Sequence, residues 1–293
     1  MKVAIYSRVI QDGHYDDVQL FFHELARYDI RPVVFHSFFE QINHRINLPH
    51  SVSTFTSSAD LKKDVDLFIS LGGDGTLLDT VTFVRDKNIP VMGINFGRLG
   101  FLAGIGRDEL SEAVQSIANS TFMIDERTMI HVDSDQHLFG QVPYALNEFA
   151  IHKRDTEPMI KIHTYLNGEF LNTYWADGLI VATPTGSTGY SLSCNGPIVF
   201  PESGSFVITP VAPHNLNVRP IVVPDDNIIS FEIESRSDQI ICAMDSRREI
   251  VSKDVQLAVR KESFSLNLVR LNENNFLQTL RNKLTWGLDK RNY

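Results

Sequence analysis

At 293 residues, with 43% hydrophobic and 22% charged side chains, the chain has the composition of two ordinary globular domains or one large one, which excludes disordered and fibrous classes. A formal net charge of -9 argues against nonspecific binding to nucleic acid or to an anionic membrane surface, so an anionic ligand must be held by local features. No apolar stretch approaches membrane-spanning length, Met1 to Ser7 runs straight into a strand pattern, and Cys194 and Cys242 form no C-x-x-C pair, so a cytoplasmic protein with reduced thiols is expected.

Residues 1 to about 122 alternate strand and helix signals. Val3 to Tyr6 reads as a strand, Val18, Phe21, Phe22 and Leu25 form a helical stripe, and Val33 to Phe35 is a short apolar run followed by a helix from Phe38. Val65 to Ser70 and Ile89 to Ile94 are nearly continuous apolar strands. Such strands separated by helices predict a parallel sheet covered on both faces, a doubly wound α/β domain.

Between two of these elements lies Leu71-Gly72-Gly73-Asp74-Gly75-Thr76, followed by Leu77, Val81 and Val84 at helical spacing. The pattern reads strand, glycine turn, helix. Glycines let a bulky anion approach the backbone N–H groups, and the helix directs its positive end at the same point. A carboxylate there is unfavourable for plain phosphate binding unless Asp74 orients a hydroxyl nucleophile or shares a divalent cation with the phosphates; an ordinary tight βα turn is the other reading. Asn95 to Leu102 follows the next strand, at the sheet's carboxyl edge, where open α/β sheets bind ligands, and makes Arg98 a candidate phosphate partner, a solvated surface arginine being the other reading.

From about Thr128 the period changes. Met129 to Val132, Ala145 to His152, Ile160 to Leu166, Glu169 to Tyr174, Leu179 to Ala182, Phe206 to Thr209, Ile221 to Val223, Ile228 to Ile233, Ile240 to Met244, Val255 to Val259 and Phe264 to Val269 all read as strands. Asn167-Gly168 is a type I' hairpin signal. The expectation is a second, all-β, sandwich-like domain over 123–274, with a helical tail over 275–293 (Phe276, Leu277, Leu280, Leu284, Trp286) packing back on the first domain, 1–122.

Within the second half, Asp177-Gly178 leads into Thr183 to Ser193, a run dense in hydroxyls and glycines with one aromatic, Tyr190. Hydroxyls and free N–H groups suit ribose, phosphate or a base edge, and Tyr190 can stack on a base. Asn147-Glu148 interrupts an otherwise apolar strand, and a carboxylate there can take a ribose diol. There is no G-x-x-x-x-G-K-[ST], no G-x-G-x-x-G after the first strand and no H-E-x-x-H.

In identity and order, Gly72-Gly73-Asp74-Gly75-Thr76, Asn95-Phe96-Gly97-Arg98-Leu99-Gly100-Phe101, Asn147-Glu148, Asp177-Gly178, Thr183 to Ser193 with Gly196-Pro197, Pro213-His214, Arg219-Pro220 and Asp245-Ser246 resemble bacterial NAD kinases over nearly the full chain. The GGDG turn alone is less specific, being similar to turns in lipid kinases and phosphofructokinases. The resemblance implies transfer of the γ-phosphoryl of ATP, with Mg²⁺, to the 2'-hydroxyl of the adenosine ribose of NAD. It implies Asp74 as proton acceptor. As dinucleotide contacts it implies Gly72, Gly73, Gly75, Asn147, Glu148, Asp177, Thr188, Gly189, Tyr190, Ser191, Leu192, Ser193 and Arg247. Gly189 stands where alanine is usual in the family and Arg247 where a smaller or uncharged residue is. NAD and ATP are the implied partners, with no nucleic acid and no membrane, in a homodimer or homotetramer. A lipid kinase sharing the turn and a noncatalytic NADP-binding sensor are the competing functions; retention of Asp74 disfavours the sensor.

Overall fold

The computed structural model describes residues 1–49, 52–62, 64–154, 157–271 and 276–284. It divides into two compact units, 1–126 with 266–293, and 127–265.

The first unit contains β1 (Lys2–Tyr6), α1 (Tyr15–Arg27), β2 (Arg31–Phe35), α2 (His36–Ile42), β3 (Ser53–Phe55), β4 (Leu67–Leu71), α3 (Asp74–Val84), β5 (Val91–Asn95), β6 (Ile105–Gly106), α4 (Leu110–Asn119) and β7 (Met123–Arg127). The second contains β8 (Ile130–Ser134), β9 (Tyr144–Ala145), β10 (Glu148–His152), β11 (Ile160–Leu166), β12 (Glu169–Ala176), β13 (Gly178–Ala182), α5 (Tyr190–Ser193), β14 (Ser205–Val211), β15 (Ile221–Pro224), β16 (Ile229–Glu234), β17 (Gln239–Met244), β18 (Arg247–Ser252) and β19 (Leu257–Lys261). The chain then returns to the first unit with β20 (Leu266–Arg270) and α6 (Phe276–Leu284).

The first sheet runs β3-β2-β1-β4-β5-β20-β7, with β6 on β5. Parallel pairing joins β2 to β1, β1 to β4 and β4 to β5. Val18, Phe21, Phe22 and Leu25 of α1 and Leu110, Val114 and Ile117 of α4 pack with Ile5, Ile69 and Met92 in one buried cluster. The alternate strand residues Tyr6, Phe35, Phe55 and Phe68 meet Phe83 of α3 in a set of ring contacts at 5.0–6.1 Å. Strand order reverses at β1 and β4, so the crevice between their carboxyl ends is where an open α/β sheet binds ligands.

The second unit is two six-stranded sheets, β15-β14-β13-β10-β17-β18 and β12-β11-β16-β19-β8-β9. Their facing side chains, among them Phe149, Ile151, Leu179, Val181, Ile130, Val132, Ile160 and Ile162, form one core. Asn167 (φ 51°) and Gly168 (φ 83°) turn the β11–β12 hairpin. The other face of β10 and β13 carries Ala150, Ile180 and Ala182, which pack with Val199 and Val207 in a smaller cluster.

Two elements differ from the sequence reading. The stretch Phe264 to Val269, read as a strand of the β-rich half, is β20 and lies beside β5 in the first sheet, as β7 does beside β20. The unit boundaries therefore fall at 126/127 and 265/266 instead of 122/123 and 274/275. The run Ala145 to His152 is two strands, broken at Leu146-Asn147. Of the tail, α6 belongs to the first unit with Leu280 buried, while Asn275 and Trp286 lie outside the described residues.

Candidate active site

In the first unit, the turn Gly72–Gly75 joins β4 to α3 at the crevice. Gly72 has φ +150°, and a Cβ there would lie 2.5 Å from the Thr76 hydroxyl, so the turn needs glycine. Gly73 is the N-cap of α3 and supplies no side-chain cap, which leaves the first helical N–H groups facing the turn.

Asp74 turns back toward the loop after β5. Its Oδ2 accepts the Phe101 N–H (2.8 Å) and its Oδ1 accepts the N–H groups of Leu102 (3.1 Å) and Ala103 (2.9 Å). Gly100 is required by this grip, because a Cβ there would sit 1.8 Å from Oδ1. A carboxylate has about four lone-pair positions. Three are used, and the one left on Oδ2 suits a single incoming hydroxyl. Asn95 shapes the same loop, accepting from Gly97 N–H (2.9 Å) and donating to the Arg98 carbonyl (2.5 Å), while the Arg98 side chain is exposed.

Arg8, which sequence reasoning passed over, stands immediately after β1 on the other side of the crevice. Its Nε and Nη2 donate to both oxygens of Asp79 in α3, and Tyr6 donates to Asp79 at 2.8 Å. Nη1 lies 3.7 Å from where a Cβ of Gly75 would be. The bidentate pair fixes the guanidinium beside the turn, and burial with the Asp79 hydrogen bond pushes the Tyr6 phenol up, so it stays protonated and donating. The signal was available: Arg8 follows a strand at the carboxyl edge, the same placement that singled out Arg98.

In the second unit, the break between β9 and β10 is made by Asp245. Its carboxylate accepts the N–H groups of Leu146 (2.9 Å), Asn147 (2.8 Å) and Glu148 (3.2 Å). Thr183 fastens the same break, its Oγ1 donating to the Leu146 carbonyl (2.6 Å) and its N–H to that of Asn147 (2.8 Å). The side chains of Asn147 and Glu148 thereby meet Gly189: a Cβ on Gly189 would lie 3.5 Å from Glu148 Oε2 and 3.8 Å from Asn147 Nδ2. Glu148 Oε2 is buried without a hydrogen-bond partner among the described residues. Desolvation, reinforced by the Asp245 charge, pushes its carboxyl up to about 8. Burial pushes the Asp245 carboxyl up as well, but three N–H donors and the nearby Arg247 charge oppose that shift, and Glu148 Oε2 has no such donor, so of the pair Glu148 is the carboxyl favoured to hold the proton.

Of the hydroxyl-rich loop, several groups serve the fold. Ser187 Oγ donates to the Pro184 carbonyl (2.6 Å) and accepts the Val199 N–H (3.0 Å), and the fully buried Ser191 Oγ pairs with Thr209 Oγ1 (2.8 Å). Ser191 can offer a ligand its backbone only. Thr188, Gly189 and Leu192 are half-buried, and Tyr190 and Ser193 are exposed. Arg247 donates to the Val142 (2.5 Å) and Tyr144 (2.6 Å) carbonyls and lies over the Phe139 ring, tying the 139–144 segment to the β17–β18 turn. Asp177 pairs with Lys153 at 2.9 Å. An open cleft of about 800 Å³ elsewhere in this unit, lined by residues including Asp133, Tyr165, Ser230, Glu232 and Gln256, contains none of these residues, so chemistry and not cavity size assigns the site.

The chain matches two family models, the ATP-NAD kinase N-terminal domain over 34–122 and the ATP-NAD kinase C-terminal domain over 146–271. It is 50% identical over 293 residues to an NAD kinase of Cytophaga hutchinsonii, with all of both chains covered. The chain belongs to the NAD kinase family. An NAD kinase of Flavobacterium psychrophilum is 41% identical over 294 residues, again with all of both chains covered. Among solved structures, yeast NADH kinase complexed with NADH is similar with a TM-score of 0.87 at 25% identity, over 98% of this chain and 88% of that one. An NAD kinase from Archaeoglobus fulgidus in complex with ATP shares the fold, with a TM-score of 0.73 at 24% identity over 97% and 99%. The two matched stretches of this chain include the Gly72–Gly75 turn and the hydroxyl-rich loop, respectively.

Proposed function

We propose that this NAD kinase transfers the γ-phosphoryl of ATP to the 2'-hydroxyl of the adenosine ribose of NAD, with Asp74 aligning that hydroxyl and taking its proton. The observation that carries the role of Asp74 is its grip by three backbone N–H groups, which fixes the carboxylate while leaving one position on Oδ2 for a hydroxyl. Phosphoryl transfer through a loose transition state asks mainly for positioning and charge neutralisation. Arg8 and the uncapped start of α3 serve the triphosphate. Among the described residues no group of three or more His, Cys, Asp or Glu side chains is placed to hold a metal ion. Mg²⁺ commonly binds through substrate phosphates with one or two carboxylates, so it enters with ATP and neutralises charge there. Purified protein incubated with NAD, ATP and Mg²⁺ should form NADP; an absence of NADP would overturn the reading.

Asn147, Glu148, Asp177, Gly189 and Tyr190 are read as the dinucleotide contacts, with Thr188, Leu192 and Ser193 beside them. Base-aromatic stacking is worth on the order of 1–3 kcal/mol, so Tyr190→Ala should raise the KM for NAD about tenfold with turnover little changed. For the donor, Arg8→Gln should raise the KM for ATP about tenfold, the worth of one charge-assisted contact, and leave the KM for NAD near wild type. Steady-state kinetics in both substrates separates the two.

Among the described residues no helix is long and apolar enough to cross a membrane. We place the enzyme in the cytoplasm as a homodimer or homotetramer, following the symmetric assemblies usual for soluble enzymes. Sedimentation should give a dimer or larger species, and a fully active monomer would remove this assignment.

A further inference from the structure

Gly178, the first residue of β13, has a packing role that the charge of the neighbouring Asp177 does not explain. Antiparallel pairing of β10 with β13 sets His152 opposite Gly178. A Cβ on Gly178 would lie 2.7 Å from His152 Nδ1 and 2.4 Å from the Ile151 carbonyl oxygen, so the missing side chain is the space the imidazole occupies. The ring then lies 5.6 Å from that of Tyr190 at an interplanar angle of 33°. Lys153 and Asp177 hold the two strand ends on either side of this point, by the Lys153 N–H to the Asp177 carbonyl (2.9 Å) and by the side-chain ion pair (2.9 Å).

Burial pushes the His152 imidazole down, against the nearby Asp177 charge, so it meets the phenol as a neutral ring. Tyr190 is 38% exposed. A ring backed by a fixed neighbour and still open to solvent is what a planar base needs to stack upon.

We propose that His152, seated in the space left by Gly178, is a positioning residue that sets the tilt of the Tyr190 ring and so the affinity for a base of the dinucleotide. The proposal rests on the reading of Tyr190 as a stacking residue.

Isothermal titration with NAD on wild type, His152→Ala, His152→Phe, Tyr190→Ala and the double variant His152→Ala/Tyr190→Ala tests it, with melting curves for each. His152→Ala should weaken NAD binding about threefold to tenfold at a turnover within about twofold of wild type, since contacting residues couple and distant ones add. His152→Phe, which restores a ring, should recover most of the affinity. In the Tyr190→Ala background the loss of His152 should have no further effect. A His152→Ala affinity equal to wild type, or a loss of the same size with and without Tyr190, overturns the positioning role. Wild-type affinity in Tyr190→Ala alone overturns the stacking reading, and the positioning role with it.

Discussion

Asp74→Asn should lower turnover by about 10² to 10⁴, the range for loss of a positioned general base, while the dissociation constant for NAD moves less than about tenfold, or roughly 1.4 kcal/mol. The geometry adds a second consequence. In the wild type both oxygens accept backbone N–H groups, from Phe101 on Oδ2 and from Leu102 and Ala103 on Oδ1. An amide replaces one acceptor with a donor, so at least one of these N–H groups faces an NH₂. A buried donor left unsatisfied costs about 1–3 kcal/mol, and the 100–103 segment should loosen. Hydrogen exchange at Phe101, Leu102 and Ala103, read beside turnover and NAD binding, separates the two effects. Unchanged exchange with collapsed turnover isolates the base. Wild-type turnover removes Asp74 from the chemistry, and complete loss of NAD binding makes it a ligand-holding or structural residue.

Glu148→Gln should stabilise the protein at high pH and do little at low pH. In the folded unit the carboxyl keeps its proton up to about 8, against an ordinary value of 4.5, because burial and the Asp245 charge disfavour ionisation. Between those two values the native state binds more protons than the unfolded chain, so stability falls as pH rises through that window. Each pH unit of the gap between 4.5 and about 8 is worth about 1.4 kcal/mol, and the full penalty is on the order of 5 kcal/mol above pH 8. Glutamine has no proton to lose and matches the neutral acid in size. Thermal unfolding should show variant and wild type close together at pH 5, with the variant ahead by roughly 10 °C at pH 9, taking about 2–4 °C per kcal/mol for a chain of this size. Parallel pH profiles for the two proteins would show that Glu148 ionises normally and that its unpartnered Oε2 carries no penalty.

Both results depend on features that differ in how far the sequence reveals them. The turn around Gly72–Thr76 was legible because three local signals agree: an apolar strand, glycines that remove side chains, and apolar residues at helical spacing. The β11–β12 hairpin was legible from Asn167-Gly168 for the same reason, since left-handed backbone at two successive positions strongly favours those residues. Short, nearly continuous apolar strands with helices between them, against many short strands with turns between them and little helical period, divided the chain into its two classes. β3 and β18 were not read, because STF is too short and RREIVS opens on three consecutive charged residues, which hide the strand alternation.

The residues and their order determined the strand–turn–helix that carries Asp74, the family, and the set of side chains that could touch a dinucleotide. Only the tertiary structure decided what those side chains do. Asp74 is bound by amides 27 to 29 residues away, and Asp245 caps a strand break 97 to 99 residues before it. Ser191, in a run of apparently free hydroxyls, faces inward to Thr209, and the late strand β20 leaves the β-rich half to complete the parallel sheet. Pattern within a segment records which faces are apolar, but which distant backbone groups reach a carboxylate, or which sheet a strand joins, is set by pairing between segments that the local pattern does not contain.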